Sequence, residues 1–197
     1  MKTPSTHKFQ FIAGNLALNF VNTIGNRSGE PRDYLDTCIN FQRWAVQAGF
    51  RSGHNLPLII PRQLETIRAA REDLHKIFRS LATGSSPSPS MLAPFNKKIA
   101  SVAGKKLLRS QNGRITWHWH ARKNDPELFL GPVFVSAAEL LVGGLWRKLR
   151  QCEDPTCGWI FLDRSPAGRR RWCSMADCGN RAKFRTFYLK RRIKNAR

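Results

Sequence analysis

A chain of 197 residues with 41% hydrophobic residues can form one domain of ordinary size plus a small appendage, which excludes disorder throughout. Its 34 lysines and arginines against 13 acidic residues give a net charge of +21, far more than solubility requires. Such a charge predicts an anionic partner, either nucleic acid or anionic lipid. Residues 147–197 hold +11 of this charge, so the last quarter of the chain carries half of it.

No targeting or membrane segment is expected. Asn15 and Asn19 interrupt the apolar stretch near the N-terminus, which argues against a secretion signal. The longest apolar run, residues 128–146, contains Glu139, Pro132 and three glycines, so a buried helix is predicted there rather than a membrane span. We therefore expect a cytoplasmic protein without a membrane partner, in a reducing compartment where structural disulfides are rare.

Apolar spacing predicts four helices in the first half of the chain. They run from Asn15 to about Gly25, from Asp36 to Gly49, from Pro61 to Gly84 and over residues 91–103. The first segment is also compatible with a short strand. The second helix is expected to be capped by Asp36, to have Ile39, Trp44 and Val46 as apolar positions, and to bury the lone Cys38.

A β-hairpin and a long helix are predicted next. KLLRSQ and RITWHW flank Asn112-Gly113, a pair that supplies the positive φ angles of a two-residue type I′ turn. His118 and His120 share one face of this hairpin and could bind metal, but two histidines without a third ligand are more typical of solvent-facing strand residues. A helix over residues 126–150 then leads directly into Cys152.

Four of the five cysteines follow the pattern Cys-x4-Cys-x15-Cys-x4-Cys: Cys152, Cys157, Cys173 and Cys178. Four thiolates at such spacing can surround one Zn²⁺ tetrahedrally at about 2.3 Å each. A redox dithiol is the weaker alternative, because the pairs are not Cys-x-x-Cys and no thioredoxin-like strand and helix surround them. We predict one structural zinc ion without an open coordination position.

The segments around the cysteines predict a small zinc module. Residues 159–163 and 169–173 flank a Ser-Pro-Ala-Gly turn, which is typical of a hairpin, and a basic helix follows Cys178. A turn with two ligands, a hairpin, and a helix with the last ligand in its first turn describe a treble-clef-like unit. The predicted fold class is therefore mainly α with a small β-hairpin, with a larger domain at 1–150 and the zinc module (hairpin plus helix) at 151–197.

Two motifs carry a family resemblance. CysGlyAsnArg at 178–181, preceded by RRRWCSMADC and followed by RAKFRTFYLKRR, resembles the CGNR zinc finger. GNLALNFVNT at 14–23 and the helix containing Trp44 resemble the ABATE domain, which precedes this finger in a family proposed to act as stress-induced transcriptional regulators. The resemblance implies a zinc-dependent DNA-binding regulator whose N-terminal domain senses a ligand or mediates association. One departure is Asn19, where the family usually has an acidic residue.

The helix after Cys178 supplies the predicted DNA contacts. At about 100° per residue, Arg181, Arg185 and Arg192 fall within an arc of about 40°. Asn180 and Arg181 could read base edges, or they could fix the zinc site by hydrogen bonds. The predicted DNA-binding residues are Arg169, Arg170, Arg171, Asn180, Arg181, Lys183, Arg185, Lys190, Arg191 and Arg192.

Two other sectors of this helix are apolar. One consists of Ala182, Leu189 and Ile193, and is expected to pack on the larger domain. Phe184, Phe187 and Tyr188 form the other, which either packs on the hairpin or stacks on bases, with packing favoured.

A ligand pocket is a further prediction, and rival functions stay open. The candidate pocket residues are Asn19, Asn22, Trp44, Arg68 and Arg71, since they place polar groups on otherwise apolar segments. Surface and capping roles are the favoured alternative for each of them, because the sequence does not bring them together. Binding of structured or ribosomal RNA is the main rival to duplex DNA, because nothing in the sequence selects a groove. An enzyme is not expected: no P-loop, dinucleotide-binding pattern or nucleophile elbow occurs, and no histidine base follows His120.

Overall fold

The computed structural model describes residues 9–50, 59–120 and 125–195. Their helices are α1 (Leu16–Val21), α2 (Cys38–Gln47), α3 (Pro61–Ala82), α4 (Pro89–Ala103), α5 (Glu127–Val142) and α6 (Asn180–Asn195). Helices dominate, the strand pairs are small, and the four cysteines of the predicted module cluster near the C-terminal end. The predicted fold class is therefore confirmed.

The strands of the described part form three antiparallel pairs. They are β1 (Ile24–Gly25) with β2 (Arg32–Asp33), β3 (Lys106–Gln111) with β4 (Arg114–Trp119), and β5 (Leu149–Gln151) with β6 (Ile160–Leu162). The hairpin of β3 and β4 turns at Asn112 and Gly113, whose φ angles are 51° and 70°. The predicted Asn-Gly hairpin is thus confirmed.

One continuous core joins the helices to the cysteine module. Helix α1 packs between α3 and α5, and Trp44 of α2 lies among aromatic rings that include Phe20 at 5.3 Å and Phe41 at 6.0 Å between centroids. The three residues of β6 belong to the same buried cluster. The zinc module therefore shares its hydrophobic core with the helical domain, and the predicted boundary after residue 150 falls inside β5.

Helices α1 and α2 differ from the predictions at their ends. Asn15 caps α1 as expected through bonds from the amides of Ala17 and Leu18, but the helix ends at Val21 because the chain turns into β1. Thr37, not Asp36, caps α2, since Asp36 binds the side chain of Asn40 instead.

Two apolar residues of α2 face away from the core. Ile39 and Val46 are exposed, and only Trp44 of the three predicted apolar positions is buried. Cys38 is half-buried against the core at the first position of α2, rather than enclosed by the helix.

The helix predicted over 126–150 is shorter than expected. It ends at Val142, because Gly143 and Gly144 follow and Gly144 takes a φ of +75° that favours glycine. A 3₁₀ turn over Leu145–Lys148 then leads into β5. Among the described residues, no helix is long and apolar enough to cross a membrane.

Candidate zinc centre and nucleic-acid interface

The structure brings the four predicted ligand cysteines together. Their sulfur atoms all lie within 4.8 Å of one another, with Cys173 Sγ at 3.6 Å from Cys157 Sγ and 3.5 Å from Cys178 Sγ. Four sulfurs arranged tetrahedrally at about 2.3 Å from Zn²⁺ are about 3.8 Å apart. All four cysteines are buried. The geometry thus fits a single zinc ion.

Strands β5 and β6 position the first two cysteines. Cys152 follows β5 and continues its pairing, since its amide donates to the Trp159 carbonyl at 2.8 Å. Between Cys152 and Cys157 the chain makes a tight turn, in which the Cys157 amide donates to the Asp154 carbonyl at 3.0 Å. Gly158 follows with a φ of +69°. This turn brings both thiols within 4.8 Å of each other.

The hairpin partner in the module was predicted wrongly. Residues 169–173 form no strand, and β6 pairs with β5 instead. The Asp163 carboxylate causes this, because it accepts the amides of Ser165 and Arg170 at 2.9 Å each and closes a tight loop after β6. The module is still a hairpin plus a helix, but its hairpin carries the first cysteine pair at its turn.

The second cysteine pair lies on the segment that leads into α6. The Cys173 amide donates to Cys152 Sγ at 3.4 Å, which ties the two pairs together. Ser174 caps a π-helical turn over Met175–Gly179 that holds Cys178 and runs directly into α6. The last ligand therefore sits at the base of the basic helix, as predicted.

A cation would stabilise the cysteine cluster in its ionised form. Hydrogen bonding to the Cys152 thiol raises the pKa of both Cys157 and Cys173, and burial raises the pKa of Cys178. Thiolates at these distances repel one another, so they cannot all ionise alone. A bound divalent cation stabilises all four as thiolates. Four cysteine ligands leave no open position, which is typical of structural zinc.

Asp154 joins the zinc site to α6. Its buried carboxylate accepts Arg181 Nε at 2.9 Å and Arg185 Nη2 at 3.2 Å, and Arg181 Nη2 also donates to Cys178 Sγ at 3.0 Å. Burial acts to raise the pKa of Asp154, but bonds from the Thr156 amide and from Arg181 outweigh it and lower that pKa to about 2. The ionised carboxylate therefore holds the first turns of α6 against the zinc site.

Hydrogen bonds from side chains and from the backbone join the N-terminal domain to the zinc module. Asn22 donates to the Ile160 carbonyl at 2.8 Å and accepts its amide at 3.0 Å, and Trp159 Nε1 donates to the Ile24 carbonyl at 2.8 Å. The Leu162 amide donates to the Ala13 carbonyl at 3.0 Å. The segment 13–24 and the strand β6 are thus joined side by side.

The predicted DNA-binding residues fall into two groups. One group makes hydrogen bonds within the zinc module: Arg170, Arg181 and Arg185. Arg170 lies 4.4 Å over the Phe161 ring and donates to the Trp172 and Cys173 carbonyls. Asn180 donates to the Ala176 carbonyl, and Arg171 is exposed but pairs with Glu153 at 2.6 Å. A second group is exposed and makes no such bond within the described residues: Arg169, Lys183, Arg191 and Arg192. Lys190 also lies on α6.

The apolar sectors of α6 do not pack as predicted. Leu189 is exposed rather than seated on the larger domain, and Ala182 is only half-buried. Phe184, Phe187 and Tyr188 are exposed as well, so the favoured packing on the hairpin is wrong. Helix α6 packs closely against the turn from which it starts and projects beyond it.

The predicted pocket residues meet only in part. Asn19, Asn22 and Trp44 line a cavity of about 40 Å³, which is room for a water molecule or two. Arg68 and Arg71 lie elsewhere and bind Asp33, with the Arg71 guanidinium making two bonds of 2.7 Å to its carboxylate. Asn19 accepts the Ala13 amide at 3.1 Å, so its side chain is engaged by the backbone just before α1.

Sequence reasoning missed Asp154 and the docking role of Asn22. The signal for Asp154 was its spacing to Thr156, because aspartate often accepts the amide two residues on and shapes a turn. Asn22 was singled out as a polar residue on an apolar segment, but its partner lies 138 positions away, which no local pattern indicates.

Comparison with known families agrees with both motifs. Residues 148–191 match the model of the CGNR zinc finger, and residues 14–144 match the model of the ABATE family, described as "Putative stress-induced transcription regulator". No curated protein matches the chain. The two matches follow one another along the chain in the predicted order. The chain therefore belongs to the ABATE family and ends in a CGNR zinc finger that holds a structural zinc ion.

Proposed function

We propose that this protein is a cytoplasmic, zinc-dependent DNA-binding transcriptional regulator whose finger contacts DNA through α6. The observation that carries the proposal is the placement of α6: it starts at the zinc site and then projects with exposed cationic side chains. Residues 147–197 supply about half of the net charge of +21, so this end of the molecule attracts a polyanion.

Phosphate contacts in this proposal fall to Arg169, Lys183, Arg191 and Arg192, which are exposed. Arg181 and Arg185 act mainly by orienting the helix, because Asp154 and Cys178 already engage their guanidinium groups. Half-exposed at 47% and 41%, they still face solvent beside the DNA site. Zinc serves as the structural support of this surface rather than as a catalyst, since four thiolates fill its coordination sphere.

The N-terminal domain acts in this proposal by holding the finger. Its contacts to β6 give a path by which association of this domain would alter the position of α6. A small-molecule effector of ordinary size occupies about 300 Å³ or more, and the cavity at Asn19, Asn22 and Trp44 is far smaller in this conformation. An effector of that size would therefore need this cavity to open, whereas association of the N-terminal domain would not.

Salt-dependent binding to duplex DNA tests the proposal. With about six phosphates neutralised, the logarithm of the binding constant should fall with the logarithm of salt concentration at a slope near −5. Replacing Lys183, Arg191 and Arg192 by glutamine should reduce that slope by about 3 units. The matched control replaces Arg62, Arg109 and Arg114, exposed residues outside the finger, and removes the same charge.

Three results would count against this proposal. Equal losses in the two triple variants would mean that charge alone, and not α6, drives binding. Retention of full DNA affinity by Cys178→Ala protein from which zinc has been lost would show that zinc is not needed. Tighter binding of structured RNA than of duplex DNA in a competition assay would favour the RNA-binding alternative.

A further inference from the structure

Three aromatic side chains on α6 are largely exposed to solvent. Phe184, Phe187 and Tyr188 are 61%, 60% and 60% exposed, and the Phe187 and Tyr188 rings meet edge to face at 5.9 Å between centroids. We name these three residues the aromatic stripe. Large aromatic rings clustered at the surface mark an interaction site, because exposing them to water is unfavourable.

Basic residues flank the aromatic stripe on both sides. At about 100° per residue, the three rings span an arc of about 100°, and Arg191 falls inside it. Lys183 lies about 40° beyond Phe187, and Arg192 lies about 40° beyond Tyr188. All three cationic residues are exposed. A second copy of this chain would bring these like charges together, so the charge favours a polyanion that also offers flat apolar surfaces.

Single-stranded nucleic acid has both properties. Each unpaired base presents a π face that can stack on an aromatic ring, while the backbone carries one phosphate per nucleotide. Duplex DNA hides those faces within its base stack and offers only base edges in the grooves. An aromatic stripe between two cationic flanks therefore matches a strand whose bases are unstacked.

We infer that the aromatic stripe binds unpaired bases, so that the finger prefers single-stranded DNA to duplex DNA of the same sequence. This inference rests on the proposed function, since it specifies which form of DNA the α6 surface takes. Bases stack on the three rings, Arg191 contacts phosphate within the stripe, and Lys183 and Arg192 follow the strand on either side. The zinc site and Asp154 hold the helix that presents them.

The test compares binding of one oligonucleotide in its single-stranded and duplex forms, at fixed salt, by fluorescence anisotropy with the full-length zinc-loaded protein. Replacing all three rings by leucine keeps the stripe apolar but removes the π faces. Because stacking on one aromatic residue is worth about 5- to 150-fold in affinity, the triple leucine variant should bind the single strand at least tenfold more weakly. Duplex affinity should change less than threefold.

Trp117→Leu is the matched control, because it removes an exposed ring on the hairpin of β3 and β4, outside the finger. It should alter neither affinity. Zinc content and the unfolding midpoint of each variant are measured alongside, so that a loss of folding is not taken for a loss of stacking.

Each remaining outcome overturns the inference in a recognisable way. Equal binding of both DNA forms, unaffected by the leucine variant, refutes the stacking role but leaves the proposed DNA binding intact. Failure to bind either form rejects the proposed function itself. Concentration-dependent dimerisation in sedimentation that the leucine variant abolishes would show that a second copy, and not DNA, occupies the aromatic stripe.

Discussion

Replacing Asp154 by asparagine tests how the basic helix is held to the zinc site. The Asp154 side chain is fully buried and accepts the Thr156 amide at 3.1 Å, the Thr156 hydroxyl at 2.9 Å, Arg181 at 2.9 Å and Arg185 at 3.2 Å. Asparagine keeps an acceptor oxygen for Thr156 but removes the negative charge that faces both arginines. The substitution thus isolates the charge-assisted bonds.

The expected cost follows from the number and exposure of these bonds. A hydrogen bond to a charged group contributes about 1.5–3 kcal/mol, and two arginines lose that assistance. Their side chains are 47% and 41% exposed, so solvent screening reduces the effect to about 2 kcal/mol in total. Since zinc binds to the folded module, the same free energy corresponds to about thirtyfold weaker zinc affinity at pH 7.

The assay is competition for zinc against a chromophoric chelator, with urea unfolding of the same samples. Asp177→Asn is the matched control, because Asp177 is an exposed carboxylate of the same module and its replacement changes the net charge equally. Only Asp154→Asn should lose zinc affinity. If both variants weaken zinc binding alike, net charge explains the loss; if neither does, the buried carboxylate does not support the site.

Three further substitutions or conditions test the structure. Asn22→Ala leaves the amide and carbonyl of Ile160 in β6 without their hydrogen-bond partner, and should lower the free energy of urea unfolding by about 3 kcal/mol. The exposed Asn180→Ala should lower it by under about 1 kcal/mol. Burial, and then the charge of Arg27, lowers the pKa of His75 from 6.5 to about 4. As the pH falls, His75 is therefore protonated in the unfolded chain at a higher pH than in the folded protein. Stability should fall by about 2 kcal/mol between pH 7 and pH 5, and His75→Leu should remove that share of the pH dependence; an unchanged profile in the variant contradicts the assignment. Gly158→Ala adds a Cβ 2.8 Å from a serine oxygen at a φ of +69°, and should lose about 3 kcal/mol in thermal unfolding, against about 1 kcal/mol for Gly168→Ala at a similar φ in open space.

Features coded by short-range patterns were predictable. The Asn-Gly turn, the helix from Pro61 and the cysteine spacing each depend on residues that lie close in sequence, and the structure confirms all three. The length of α5 and the partner of β6 were not predicted. Helix α5 ended early because Gly143 and Gly144 interrupt the apolar run on which its predicted length depended. Residues 169–173 did not pair with β6 because the Asp163 carboxylate accepts the Arg170 amide and holds the chain in a tight loop.

The zinc ligands of the candidate site were predictable from the sequence, whereas the orientation of its arginines was not. Spacing alone located the four ligands, because two cysteine pairs at this spacing in a small basic module are typical of a zinc site. The orientation of Arg181 and Arg185 depended instead on a buried acid 27 and 31 positions away, which helix periodicity could not reveal. Periodicity also assigned an apolar sector of α6 to packing, but the helix projects beyond the domain surface, so Leu189 stays exposed.

The hydrogen bonds between the start of the chain and β6 also set an order of events during synthesis. Asn22 and Ile160 are 138 residues apart, so at about 5–20 residues per second the ribosome needs roughly 7–30 s to deliver the partner of Asn22. Throughout that interval α1 lacks the strand β6 that completes its surroundings. Zinc binding by Cys173 and Cys178, which are synthesised after β6, therefore comes later than the synthesis of Asn22, and a lack of zinc would leave both β6 and the segment 13–24 incompletely packed.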